Sequence, residues 1–302
     1  MRFGSWRLGW QLGRPAFLLT SILSVFAGVL SAIYAHHPVV WGYLPWLLLA
    51  ACAAHWSVNV LNDYEDFQSG LDFYTPKTPF SGGSGVLVAH PEKAQSAWWF
   101  AILSLALLGA IGVYFTVVRG WVVLLFGLLG VLIILSYTRF LTKHPWLCFM
   151  APGLGSGFLL VLGSEWVMAG ALSWTGFFIA FIFWSLYNNI LLLNQFPDIG
   201  ADLQVGRRHY PIVLGKRKSL LLYLLNGMLA SCLLLMAYVF GFFPGLSLMA
   251  LPFSLGCIGV YFYFLKNLEY WPNWLNALRL NVVYVVSTAL ALLLAFLLSV
   301  LA

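Results

Sequence analysis

Of the chain's 302 residues, 62% are apolar and only 8% are charged, whereas about a quarter of the residues in a soluble domain are charged. That excludes an ordinary water-soluble fold and marks an all-α polytopic membrane protein, read as one integral membrane domain over residues 1–302. The net charge of +6 is accounted for by membrane topology, with no need of nucleic acid as a partner.

Apolar runs long enough to cross roughly 30 Å of hydrocarbon fall near 15–35, 39–61, 96–117, 121–141, 148–163, 174–196, 219–241, 245–265 and 280–301. They predict a bundle of nine transmembrane helices. The stretch Met1–Arg7 could open a signal peptide, but the apolar run behind it is long and lacks a clear small-residue cleavage site, so it reads as a retained first helix. Pro152, Gly153, Gly155 and Gly157 interrupt the fifth run and predict a short, kinked or tilted helix. Cys52, Cys148, Cys232 and Cys257 show no paired spacing and read as packing residues. Tryptophans gather near span ends, at Trp41, Trp46, Trp98, Trp99, Trp121, Trp174, Trp271 and Trp274, as in an interfacial belt.

With the N-terminus inside, 14 of the 15 basic residues fall on the inner face and only Arg119 falls outside. This bias supports both the count and a cytoplasmic N-terminus. The longest connections, 62–95 and 197–218, are both inner, and each begins with an acidic motif. The matching direction of the preceding spans is compatible with an internal duplication, although similarity beyond the motifs is weak.

Four of only nine acidic residues lie between Asn59 and Asp72, at the mouth of a membrane helix where unpaired charge is expensive. If that helix continues through Asp66, Asn59 and Asp63, Asn62 and Asp66, and the pair Asp63 and Asp66 share one face. In the second motif Asn194, Asp198 and Asp202 repeat a four-residue step, across a helix that Pro197 should kink. Carboxylates so close repel unless a cation neutralises them. Hard oxygens with neighbouring Asn carbonyls suit Mg2+ together with substrate phosphate oxygens. Lys77, Arg207 and Arg208, then Arg139 and Lys143, are candidates for the remaining phosphate charge, although inner loops carry Lys and Arg in any case.

The two motifs, one after the second span and one after the sixth, resemble those of the UbiA superfamily of intramembrane prenyltransferases. Asn62, Asp63 and Asp66 match the first family motif, but Gly70 stands at its last position and the third acid comes at Asp72. This form is similar to the menaquinone-type branch, the 1,4-dihydroxy-2-naphthoate polyprenyltransferases. Asn194, Asp198, Asp202, Gly206 and Arg207 match the second motif, whereas His209 stands where Ser or Thr is usual. The resemblance implies a nine-helix fold and Mg2+-dependent transfer from a polyprenyl diphosphate to a small aromatic acceptor. Asp63, Asp66, Asp198 and Asp202 would hold the metal, with Asn62, Lys77 and Arg207 on the diphosphate. The loop Lys77–Gly85 follows the first motif where relatives carry a basic residue and glycines. Tyr137 would contact substrate or stabilise a carbocation, and Asn59, Asp72 and Asn194 would orient ligands or acceptor. Relatives also act on 4-hydroxybenzoate, homogentisate, chlorophyllide, haem or glycerol phosphate lipids. Rival readings are an ion-coupled transporter and a non-catalytic assembly partner; clustering of the acids at one face and retention of all four aspartates favour the enzyme. It is expected in a prokaryotic inner membrane, with the active site on the cytoplasmic side.

Overall fold

Hydrocarbon offers no partner to a backbone amide, so a chain this apolar satisfies itself as helices. The computed structural model describes residues 9–302; the stretch Met1–Arg7, with Arg2 and Arg7 of the inside-positive count, lies outside the described residues. The main helices are α1 (Pro15–Tyr34), α2 (Leu44–Gln68), α3 (Ala94–Arg119), α4 (Trp121–Ser136), α5 (Pro145–Pro152), α6 (Leu160–Ala169), α7 (Trp174–Asn194), α8 (Ile199–Gln204), α9 (Lys216–Val239), α10 (Gly256–Lys266) and α11 (Trp271–Leu301).

Among the described residues, 8 helical segments are long and apolar enough to cross a membrane. The expected span 121–141 is the exception. Its helix, α4, has 16 residues, about 24 Å at 1.5 Å per residue, because the chain leaves the helix at Tyr137 and turns through Phe140. It remains an apolar helix packed beside α3.

The fifth span is longer than expected, Pro145–Ala169, and its interruption takes the form of a π-helical turn at Gly153–Leu159 between α5 and α6. The Gly153 N–H donates to Asn188 Oδ1 of α7 at 2.8 Å. The glycines bring α7 close: a Cβ on Gly157 would stand 2.7 Å from the Trp184 nitrogen. Gly28 does the same between α1 and α6, where a Cβ would lie 2.8 Å from the Glu165 nitrogen.

Helix α7 is the axis of the largest core, with Ile179, Phe183, Leu186 and Leu193 fully buried. Polar knots fix its register. Asn226 donates to Asn189 Oδ1 at 2.8 Å, Asn189 to the Tyr223 carbonyl at 3.0 Å, Asn281 to the Asn189 carbonyl at 3.0 Å and the Tyr223 hydroxyl to Asn281 at 2.9 Å. These bonds join α7, α9 and α11. At the opposite end of α7, buried Glu165 accepts from the Ser173 amide and hydroxyl, and the Ser173 hydroxyl caps the Gly176 amide. Arg119, the one basic residue assigned outside, donates there to the Val167 carbonyl at 2.8 Å.

Gly28→Leu is expected to destabilise the detergent-solubilised protein by about 1–3 kcal/mol or more, because backbone blocks the added side chain. Gly112→Ala, whose Cβ would meet nothing within 4 Å, should change stability by less than about 1 kcal/mol. Thermal unfolding of the two variants checks the contrast.

Candidate active site

Helix α2 does continue through the first motif, to Gln68, and so brings Asn59, Asn62, Asp63 and Asp66 to one region. Gly70 then adopts a left-handed backbone (φ 78), which glycine reaches without a Cβ penalty. The turn returns Asp72 to the interior, where it is 4% exposed. Lys77 donates to Asp72 Oδ1 at 3.0 Å and to the Gly82 carbonyl. A Cβ on Gly83 would come within 2.6 Å of Asp72 Oδ1. Behind these contacts the Ser84 N–H donates to Asp63 Oδ2 at 3.0 Å, so the Gly-rich loop folds back onto the first motif.

The second motif departs from expectation in one respect. Pro197 ends the helix instead of kinking it: α7 stops at Asn194, residues 195–198 form turns, and Asp198 precedes α8. A proline lacks the amide and disfavours helical geometry in the residue before it. The four-residue step survives only from Asp198 to Asp202, through the Asp202 N–H to the Asp198 carbonyl at 2.8 Å.

A chain of alternating charge joins the motifs. Arg14 donates to Asp63 Oδ1 at 2.7 Å and to Asn62 Oδ1 at 3.3 Å. Asn62 donates to Asp66 Oδ2 and to the Thr138 hydroxyl, both at 3.1 Å. Arg207 bridges Asp66 Oδ1 and Asp202 Oδ1, the latter at 3.0 Å, and His209 Nε2 lies 3.0 Å from Asp202 Oδ2. Neighbouring Asp66 and Asp202 hold the Arg207 pKa above its ordinary value even though burial opposes its charge.

The site forms one end of a cavity of about 560 Å³. Asn59, Asn62, Asp66, Asp72, Tyr137, Asn194, Asp198, Asp202 and Arg207 line it, and apolar residues of α2, α3, α4 and α6 line the rest, among them Leu108, Leu124 and Leu160. Other sequence candidates lie elsewhere. Asp63 is engaged by Arg14 and Ser84 behind the wall, and Lys77 is held on Asp72 and Gly82. Arg139 is exposed on Glu65 at 2.6 Å, and Lys143 and Arg208 are exposed away from the cavity. Sequence reasoning passed over Arg14, read only as topology although it directly precedes Pro15 and the first span. It also left His209 as a motif mismatch.

Among the described residues no group of three or more His, Cys, Asp or Glu side chains is gathered for a metal. The donor chemistry nonetheless fits a hard divalent cation shared with a ligand: Asn194 Oδ1 and Asp198 Oδ1 are both buried without a hydrogen-bond partner and both residues line the cavity. Burial, with Asp202 adding to it, pushes the Asp198 carboxyl up to about 7, and a bound cation would reverse that penalty.

A sequence profile described as the UbiA prenyltransferase family matches residues 21–274. A 1,4-dihydroxy-2-naphthoate octaprenyltransferase of Bacillus subtilis (strain 168) is 26% identical over 215 residues, which span 70% of this chain and 68% of that protein. The fold is similar to that of a UbiA homologue from Aeropyrum pernix K1 (TM-score 0.70, 17% identity, 91% of this chain and 97% of that one). It also resembles a UbiA homologue from Archaeoglobus fulgidus bound to DMAPP and Mg2+ (TM-score 0.65, 14% identity, 94% and 98%).

Removing Arg207 strands two buried carboxylates, so Arg207→Ala should cost about 3–5 kcal/mol. Adding Asp66→Asn to it should recover part of that loss. Denaturation in detergent checks both, and an Arg207→Ala protein as stable as the parent would contradict the bridging role.

Proposed function

This chain belongs to the UbiA prenyltransferase family, and we propose that it transfers a polyprenyl group from its diphosphate, with Mg2+, to a hydroxylated aromatic acceptor of the 1,4-dihydroxy-2-naphthoate type. The observation that carries this reading is a single cavity with acids and cations at one end and apolar helices along the rest. Only an amphiphile with a small, highly charged head and a long apolar tail uses both. The named Bacillus relative and the Gly70 and Asp72 form of the first motif support the naphthoate-type acceptor.

Asp66, Asp198 and Asn194 would hold Mg2+, with Asp63 and Asp202 close behind them. When bound, the metal neutralises charge that develops on the departing diphosphate. Arg207 and Arg14 turn from their carboxylates toward the phosphate oxygens and supply fixed positive charge, and Lys77 orders the loop over the head group. The tail lies along Leu108, Leu124 and Leu160, where water is excluded from the allylic carbon. Tyr137 presents its ring to positive charge on that carbon. The inner-face excess of basic residues supports a cytoplasmic active site.

Purified protein given labelled polyprenyl diphosphate, Mg2+ and a panel of aromatic acceptors should prenylate the dihydroxynaphthoate. Chelation should abolish the activity, and Asp66→Ala and Asp198→Ala should each lower it about a hundredfold or more. Absence of transfer to every acceptor, or undiminished transfer by both variants, would overturn the proposal.

A further inference from the structure

His209 is anchored more firmly than a loop residue requires. Its carbonyl accepts the Ile212 and Val213 amides at 3.0 and 3.1 Å, and the ring of the next residue, Tyr210, packs on Phe149 with centroids 5.6 Å apart. The imidazole itself is 2% exposed and lines the cavity. Asp202, already accepting from Arg207, is a carboxylate and therefore only an acceptor. The proton of a neutral ring consequently sits on Nε2, and Nδ1 is left with a lone pair. That Nδ1 is buried and has no hydrogen-bond partner.

The surroundings say which ligand can satisfy it. Arg14, Lys77 and the Ser84 amide lie on the first motif, and Arg207, which shares Asp202 with His209, reaches across to Asp66. The cavity wall also carries the neutral groups Tyr137, Thr142, Cys148 and Gln195, and the Thr142 carbonyl accepts from the Arg208 amide, next to His209, at 2.9 Å. An ionised diphosphate has no proton to give to a lone pair, whereas a phenolic hydroxyl does. A buried acceptor atom left unpaired is costly, and a hydroxylated ring is the substrate that removes the cost.

We infer that His209 is an acceptor-binding residue: its Nδ1 accepts a hydrogen bond from a ring hydroxyl, while Asp202 fixes the tautomer and orientation that make this possible. The inference rests on the prenyl-transfer reading. It assigns the two ends of Asp202 to two substrates, one through Arg207 to the diphosphate and one through His209 to the acceptor.

His209→Gln separates this role from a structural one, because a glutamine amide keeps a donor for Asp202 while its acceptor, Oε1, sits on the same carbon as that donor and not at the ring position of Nδ1. With 1,4-dihydroxy-2-naphthoate and a polyprenyl diphosphate as substrates, the variant should show an acceptor KM raised about tenfold. Its KM for the diphosphate and its Mg2+ requirement should stay within about twofold of the parent. Replacing one of the two ring hydroxyls at a time by methoxy should cost the parent a similar factor at the position that bonds Nδ1 and cost the variant little there. Acceptor binding followed by tryptophan fluorescence in the absence of diphosphate gives the same comparison if turnover is low. An unchanged acceptor KM, or a change confined to the diphosphate or Mg2+, would overturn the assignment to the acceptor. No transfer by the parent protein to any aromatic acceptor would instead overturn the functional reading on which it rests.

Discussion

The structure depends on one constraint: a buried carboxylate at the edge of a membrane is costly until a cation meets it. Arg207 meets it by bonding at once to Asp66 of the first motif and Asp202 of the second, residues 136 positions apart in the chain (202 − 66). Arg14 meets it at the other end, on Asp63. A buried pair of this kind gives little net stability by itself, because desolvation offsets much of the attraction. Its effect is to make the two motifs one object, so that helices α2 and α8 cannot shift independently without exposing a charge.

The rest of the fold holds α7, the helix that leads into the second motif, in place. Asn189, Asn226, Tyr223 and Asn281 tie α7 to α9 and α11, and the π-turn at Gly153 binds α7 from the other side through Asn188. Because lipid supplies no hydrophobic drive between helices, small residues and polar bonds must fix registry. The non-helical parts of the site are a left-handed Gly70, a loop folded by Gly82 and Gly83, and a helix ended by Pro197.

Most of this architecture was legible in the sequence because the physics behind it is local. Apolar length located the spans, and residue spacing said which motif side chains share a face if α2 continues through Asp66, as it does. What was not legible depended on distant partners. Nothing local to Arg14 says that it reaches Asp63, and nothing near Arg139 says that Glu65 holds it outside while Arg207 turns in. Pro197 was read as a kink because one missing amide is often tolerated; here the turn through 195–198 ends the helix and gives Asp198 its unpaired oxygen. The length of α4 was overestimated because apolar composition continues past Ser136 while the helix does not.

Whether the two motifs act as one clamp is tested most directly by equilibrium binding of a non-reacting polyprenyl thiolodiphosphate with Mg2+ to the parent protein, Asp66→Asn, Asp198→Asn and the double variant. If the motifs share one head group, each single change removes most of the affinity and the double variant is little worse than the weaker single, the non-additivity expected of residues that act as a unit. Losses that simply add, or a motif whose removal leaves binding intact, would contradict a shared clamp.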